Sequence, residues 1–312
     1  LVVKDFLGLI QEPILLQGEV LNFLSFIDGK SSLRDIQLAL IRQKRGAFIS
    51  GDEIQGILRE LDSSLLLDSE NYRKQKERII SEYSHLEVRK SWLSGRSYPD
   101  VEGDLSALLE SFFSLEKGIP PEIKGKKIAA LIAPHVDLEV GKRIYAKAYG
   151  ALMNSVPERI ILLGTGHNLQ ESFFSLTEKD FETPLGRVKT DKEGVKSLKE
   201  AGKEVISPND IVHRSEHSLE FQMLFLQHLF KSEFSILPIL CGSFQHLVDS
   251  FSRPSEIPGM SDFLKRLRLF IEENPEETMI VAGVDFAHIG PKFGHSQQAS
   301  FLLPEAKVMT SS

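Results

Sequence analysis

Four short apolar runs, separated by helical patterns, constrain this fold more than any other feature of the sequence. They occupy residues 127–133, 160–163, 235–240 and 279–284. Each run is apolar almost throughout, as expected for strands that are covered on both faces. Helical patterns lie between the runs, notably around residues 217–230 and 261–273. Strand alternating with helix at this spacing predicts an α/β domain with a mostly parallel central sheet and helices on both faces.

The first part of the chain carries a different pattern, that of a small helical unit. Apolar residues recur at helical spacing in three short segments. The third segment has a clear start signal in Ser50 and Glu53, which have the spacing of a capping box. Residues 65–72 are then expected to form a strand and a turn. We therefore predict three segments: a winged-helix-like domain at 1–75, a charged linker at 76–92 and the α/β domain at 93–312.

The charge distribution argues against a nucleic-acid partner. The formal net charge is −7, whereas DNA- and RNA-binding proteins normally carry a basic surface. The predicted third helix, which contacts DNA in many winged helices, carries Asp52, Glu53, Glu60 and Asp62 against only Arg59. The N-terminal unit instead resembles winged-helix modules that bind a peptide along a strand edge, with a structural cap on the larger domain as the alternative.

Composition also sets expectations about the compartment. No apolar run approaches the roughly 20 residues that span a bilayer, so we expect no membrane association. Residues 1–30 do not have the pattern of a signal peptide. Cys241 is the single cysteine, which excludes an intramolecular disulfide and a cysteine-based zinc cluster within this sequence. The expected location is the cytoplasm.

Polar side chains follow the predicted strands at the points where the strands end. His135 follows the first strand, His167 follows the second and Asp285 follows the fourth, while His217 opens a helix. Because the carboxyl ends of parallel strands meet at one edge of a sheet, these side chains are expected to converge. A lone histidine after a strand is an ordinary capping residue. Several histidines with a carboxylate, however, are typical of a metal site, and two histidines with one carboxylate are the ligands of non-heme iron oxygenases.

Short motifs in a fixed order give these positions a family context. They are APH at 133–135, LGTGH at 163–167, TPLG at 183–186, EHSLE at 216–220, LPILCG at 237–242 and DFAH at 285–288, with SGRSYP at 94–99 near the start of the domain. Together they resemble the Memo family from about residue 90 to 295. The resemblance implies a fold shared with class III extradiol dioxygenases, with His135 and His167 as metal ligands. It implies that His217 lies beside the metal as an acid–base residue, and we expect Asp285 to be a ligand or an orienting group.

One position departs from the family pattern. Ala287 stands where Memo proteins typically have a cysteine ligand and cannot bind a metal. Asp285, Asp137, Glu216 or His288 can replace it, and the sequence does not choose among them. Since the soft thiolate is missing, iron is the expected metal, with copper and zinc as alternatives.

Three functions are compatible with this pattern. The first is a metal-dependent oxidoreductase, related to dioxygenases, that acts on a small molecule or a peptide. The second is a non-catalytic module that binds a peptide or a radical-SAM partner, because the combination of the two domains resembles bacterial or archaeal Memo proteins named for such an association. The third is a zinc-dependent hydrolase. The family domain also normally continues further, so we expect the C-terminal part to be incomplete.

Overall fold

The computed structural model describes residues 1–3, 5, 7–10, 13–43, 49–115, 126–153, 155–230, 232–247 and 253–304. The chain divides into two compact units, Leu1–His85 and Leu86–Ser312. No helix among the described residues is long and apolar enough to cross a membrane.

The first unit is mainly helical. Its elements are β1 (Val2–Val3), β2 (Ile14–Leu15), α1 (Gly18–Leu24), α2 (Leu33–Gln43), α3 (Gly51–Ser63) and α4 (Glu70–Ser84), with β1 and β2 antiparallel. The predicted capping box is confirmed, since the Ser50 side chain accepts from Glu53 N and the Glu53 side chain accepts from Ser50 N. Apolar side chains of α1, α2 and α3 form a small core around Ile54, which is fully buried.

The strand predicted at residues 65–72 is wrong. Leu65 adopts a left-handed conformation (φ 57°) that ends α3 in a turn. The Ser69 side chain then accepts a hydrogen bond from Tyr72 N and starts α4. A helix therefore follows the turn where a strand was predicted. The structure has no strand at this point of the predicted winged-helix-like domain.

The second unit is the predicted α/β domain. Its strands are β3 (Val88–Lys90), β4 (Ala130–Pro134), β5 (Arg159–Thr165), β6 (Phe174–Leu176), β7 (Asp180–Thr183), β8 (Gly186–Thr190), β9 (Ser235–Cys241) and β10 (Thr278–Val284). Its helices are α5 (Glu102–Phe113), α6 (Leu138–Gly150), α7 (Lys192–Ala201), α8 (Ser218–Leu229) and α9 (Met260–Glu273). The strand order is β3-β7-β8-β9-β5-β10-β4, with β6 paired to β9, and all pairs are parallel except β7 with β8 and β6 with β9. The predicted fold class is confirmed.

Central strand β5 shows why helices cover both faces of the sheet. Side chains alternate across a strand, and all of Ile160–Leu163 are apolar. Ile160 and Leu162 enter a core shared with α5, α6 and α8, whereas Ile161 and Leu163 enter a second core shared with α7 and α9. A strand with no polar face is stable only between two apolar layers.

The predicted linker also needs a correction at its end. Helix α4 ends at Ser84, and Val88–Lys90 pairs in parallel with β7 as an edge strand of the large sheet. Arg89, which we expected in a solvated linker, is 1% exposed. The physical reason is a buried counter-charge, Glu220, which lies far away in the sequence.

Candidate metal centre

The register of three parallel strands places the candidate ligands side by side. Strand β10 lies between β4 and β5, with Val284 paired to Pro134 and Gly283 paired to both Ala133 and Gly164. The residues that follow these strands leave the sheet at the same edge. His135, Asp285 and His167 are therefore neighbours although they are far apart in sequence.

Two glycines let helix α8 approach that edge. A Cβ atom on Gly283 would lie 2.6 Å from the Ser218 carbonyl oxygen, and one on Gly164 would lie 2.5 Å from Ser218 Oγ. Ser218 Oγ donates to Thr165 O at 3.0 Å. The first turn of α8 thus rests directly on the strand ends, and this places His217, the residue before the helix, beside the other two histidines.

The three imidazoles form a compact cluster. Ring centroids are 5.0 Å apart for His135 and His167, 5.3 Å for His135 and His217, and 4.9 Å for His167 and His217. One ligand atom from each histidine lies within 4.8 Å of the others, so the three can hold a metal ion.

The Asp285 carboxylate completes the cluster on one side. Its Oδ1 lies 2.9 Å from His135 Nε2, and its Oδ2 lies 3.5 Å from His167 Nε2. His288 Nε2 lies 3.4 Å from Oδ1, and the His288 ring stacks on Phe293. Burial alone would raise the pKa of Asp285, but the nearby His135 and His288 outweigh it and lower the pKa.

Glu216 orients two of the imidazoles. Its buried carboxylate accepts hydrogen bonds from the backbone N–H groups of His167, His217 and Ser218 at 2.8–3.1 Å. It also contacts His167 Nδ1 at 3.0 Å and His217 Nδ1 at 3.2 Å. Burial would raise the pKa of Glu216, but the bonds from His167 and His217 hold it well below its usual range, so the group is a carboxylate.

A carboxylate accepts but cannot donate, so His167 must carry its proton on Nδ1. The same hydrogen bond raises the pKa of His167 above its ordinary value. Nε2, on the other side of the ring, then faces Asp285. This is the outer-shell carboxylate arrangement that orients histidine ligands in metalloproteins.

His135 supplies the structural evidence that a metal fits here. Its side chain is 2% exposed, and Nε2 lies 2.9 Å from Asp285 Oδ1, but neither ring nitrogen makes a hydrogen bond of normal geometry to another side chain among the described residues. Burial lowers the pKa of His135, which favours the neutral form that binds metals. A buried imidazole without a well-formed hydrogen bond loses part of what it gains in water, and a metal ion held by Nε2 and the neighbouring Asp285 carboxylate would supply a strong partner at that atom.

A pocket of about 550 Å³ opens over the cluster. Trp92, Leu93 and Phe221 provide apolar walls. The remaining lining residues are Ser97, His135, Val136, Asp137, His167, Ser215, His217, Asp285 and His288. Apolar walls with a few converging polar groups are typical of small-molecule sites.

Comparison with known proteins identifies the family. The family model described as Memo-like protein matches residues 89–310. This chain belongs to the Memo family. A MEMO1 family protein of Aquifex aeolicus is 28% identical over 305 residues, covering 96% of this chain and 75% of that protein. MEMO1 family proteins of Nitrosopumilus maritimus (28% identity; 70% of this chain and 75% of that protein) and Thermus thermophilus (27%; 90% and 78%) are also similar.

The alternatives for the missing cysteine ligand of this Memo chain occupy different places. Asp137 caps α6, since its Oδ1 accepts from Glu139 N at 3.1 Å and Val140 N at 3.3 Å. Glu216 faces the Nδ1 side of the imidazoles, away from Asp285. Asp285 and His288 both line the pocket, and Ala287 is exposed. Of the three carboxylates among the candidates, Asp285 is the one whose oxygens contact both His135 and His167 in the part of the chain described.

Two residues, Glu216 and Arg89, have contacts at the site that the sequence pattern does not predict. Glu216 was one of four possible ligands, although its position next to His217 was a usable signal for an orienting role. Arg89 was assigned to a linker, and the local sequence carries no signal for its burial. Cys241 packs against the second core, and burial raises the pKa of its thiol to about 11.

Proposed function

We propose that this Memo-family chain is a metal-dependent oxidoreductase whose metal is held by His135, His167 and Asp285. The observation that carries the proposal is the position of Asp285, whose two oxygens lie 2.9 Å and 3.5 Å from the Nε2 atoms of the two histidines. Two imidazoles and one carboxylate on one side of an open pocket are the ligand set of non-heme iron oxygenases.

The choice of Asp285 over Glu216 rests on hydrogen bonding. The Glu216 oxygens already accept three backbone N–H groups and contact two Nδ1 atoms. Moving Glu216 onto a metal would leave those buried donors unpaired, at about 1–3 kcal/mol for each group. Asp285 is partly exposed and its contacts in this structure are with histidine rings, so it can bind a metal at lower cost.

The donor set favours iron over copper. Imidazole nitrogen and carboxylate oxygen suit iron and zinc, whereas a soft thiolate would favour copper(I), and Ala287 occupies the place of the family thiolate. When bound, iron would supply electron transfer to an oxidant such as oxygen.

His217 has the position of an acid–base residue. Its Nδ1 lies 3.2 Å from Glu216 Oε1, and the ring lines the pocket. With Nδ1 held by the carboxylate, Nε2 is the atom that exchanges a proton with a substrate in the pocket. A positioned acid–base group typically contributes about 10²–10⁴-fold in rate. The pocket size and its apolar walls fit a small-molecule or peptide side-chain substrate.

A zinc-dependent hydrolase is the second candidate, and one observation favours it. The ligand atoms of all three histidines lie within 4.8 Å of one another, so His217 can be a third imidazole ligand. Three protein ligands with an open fourth position are typical of catalytic zinc. The two proposals differ in the role of His217.

The first test is the metal content of protein purified without oxygen, affinity tag or chelator, measured by mass spectrometry. We expect near-stoichiometric iron in the parent and loss of the metal in the double variant His135→Ala/His167→Ala. His228→Gln is the matched control, because His228 is a partly buried histidine that stacks on Phe113 outside the site. A parent that holds no metal even after reconstitution with iron would refute the proposal and favour the module that binds a peptide or a radical-SAM partner.

A second test separates the two candidate chemistries. Asp285→Asn should weaken iron binding, whereas Asp137→Asn should not, since asparagine is an equally good N-cap. His217→Gln should keep iron and lose oxygen uptake if His217 is an acid–base residue. If His217→Gln instead loses its metal, and that metal is zinc, the hydrolase is the better description.

A further inference from the structure

Arg89 and Glu220 form the most deeply buried ion pair among the described residues. Their side chains are 1% and 0% exposed, and Arg89 Nη1 donates directly to a Glu220 carboxylate oxygen. Such pairs are weak evidence for stability, because removing two charges from water offsets much of their attraction. Neither side chain lines the pocket. The remaining hydrogen bonds of the pair indicate what it does.

Arg89 holds the segment that carries the orienting carboxylate. Its Nε donates to His213 O at 3.0 Å, and its second terminal nitrogen donates to Glu216 O at 2.6 Å. These carbonyls lie at the two ends of the turn that leads into α8. The guanidinium therefore fixes the backbone from which the Glu216 side chain reaches His167 and from which His217 follows.

Glu220 holds the opposite wall of the pocket. Its carboxylate accepts from Trp92 N and Leu93 N, both at 2.8 Å, and from the Tyr98 hydroxyl at 2.5 Å. Trp92 and Leu93 line the pocket. One buried pair thus joins the edge strand β3, the start of α8 and the aromatic wall through fixed hydrogen bonds.

We propose that Arg89 and Glu220 are positioning residues of the metal site, which set the orientation of His167 and His217 through the backbone of Glu216. This inference rests on the proposed function for its effect on metal binding, but the orientation itself exists without a metal. The planar guanidinium donates along several fixed directions, whereas a lysine ammonium is a compact point charge on a flexible stem. Arg89→Lys should therefore keep the positive charge but lose the fixed directions of the hydrogen bonds to His213 O and Glu216 O.

The experiment compares Arg89→Lys with the parent by two measurements. The first is ¹⁵N NMR of the histidine rings in metal-free protein. In the parent, His167 should be protonated on Nδ1, where Glu216 accepts. In Arg89→Lys we expect mixed tautomers for His167 and unchanged signals for His228. The second is a Co²⁺ titration, in which the variant should bind about 10- to 100-fold more weakly and show an altered visible spectrum.

The matched control is Arg159→Lys. Arg159 pairs with Asp191 at 3.1 Å and lies at the start of β5, at the opposite end of the sheet from the histidines. It should lose less stability in urea than Arg89→Lys, because the Arg159 side chain is 26% exposed, and it should not change tautomers or Co²⁺ affinity. If Arg89→Lys does not fold, Glu220→Gln, which keeps the size of the side chain, is measured in its place with the same expected results.

The two proposals fail in different ways. Parental histidine tautomers in a folded variant would overturn the positioning role, whatever the protein does with metals. A parent that binds no Co²⁺ but whose tautomers change on mutation would overturn the metal proposal and leave the positioning role standing. Parental Co²⁺ affinity and spectrum in both Arg89→Lys and Glu220→Gln would also overturn the positioning role.

Discussion

The replacement Glu216→Gln tests the orienting carboxylate with the smallest change in shape. Glutamine offers one acceptor oxygen where glutamate offers two, and its NH₂ group would face N–H donors. In the structure the two glutamate oxygens accept hydrogen bonds from the backbone N–H groups of His167, His217 and Ser218 and from the His167 ring. At least one buried donor is therefore left without an acceptor.

The magnitude follows from the role of the carboxylate. Losing a partner that orients a histidine ligand typically lowers metal affinity about 10- to 100-fold, which corresponds to roughly 1.4–2.8 kcal/mol. The unpaired donor also destabilises the metal-free fold by about 1–3 kcal/mol. Both effects should be present, and they are measured separately.

The assay is isothermal titration of metal-stripped protein with Zn²⁺, beside urea unfolding of the same samples. Glu178→Gln is the control, since Glu178 is a half-exposed carboxylate that pairs with Lys199 at 3.0 Å away from the pocket. We expect a weaker Zn²⁺ affinity for Glu216→Gln and parental affinity for the control. A folded Glu216→Gln variant that binds Zn²⁺ within about threefold of the parent would refute the orienting role.

Two further predictions concern the fold around the site, and a third concerns the first unit. Gly283→Ala should cost about 1–3 kcal/mol in urea unfolding and weaken metal binding, because its Cβ would lie 2.6 Å from Ser218 O. Burial lowers the pKa of His213 to about 4, so the unfolded chain binds the proton more readily and stability falls as the pH drops below about 6.5. Between pH 7.5 and 5, the free energy of unfolding of the parent should fall by roughly 2 kcal/mol more than that of His213→Leu, measured by urea titration. Equal losses in the two proteins would contradict this. Ser50→Ala removes the acceptor for Glu53 N and should destabilise the first unit by about 1 kcal/mol, measured by amide exchange in α3; unchanged exchange would show that the cap contributes little.

The parts of the site that the sequence predicts are those that follow from strand register. Apolar runs identify β4, β5 and β10, and parallel strands place the residues after them at one edge. His135, His167 and Asp285 therefore converge in the structure as the sequence analysis expected. His217 could be placed by the same argument, since it opens a helix that packs on the strand ends.

One error comes from a local turn, and the other comes from a contact between residues that are far apart in the sequence. Three leucines at 65–67 have the pattern of a short strand, but the left-handed Leu65 and the Ser69 cap turn the chain into α4. Arg89 lies in a strongly charged stretch, where exposure is the ordinary outcome. Its burial depends on Glu220, 131 residues away, and single-sequence patterns carry no information about such a pair.

The same non-local contact explains how a Memo chain without the family cysteine can keep an ordered site. The orientation of His167 comes from Glu216 on the Nδ1 side, and the backbone of Glu216 is held by Arg89. None of these interactions involves position 287. With alanine at position 287, the imidazoles are therefore still aligned, and the Asp285 carboxylate lies beside two of them. Under the proposed ligand set, a carboxylate at the end of β10 in place of a thiolate would favour iron or zinc, without requiring the rest of the site to be rebuilt.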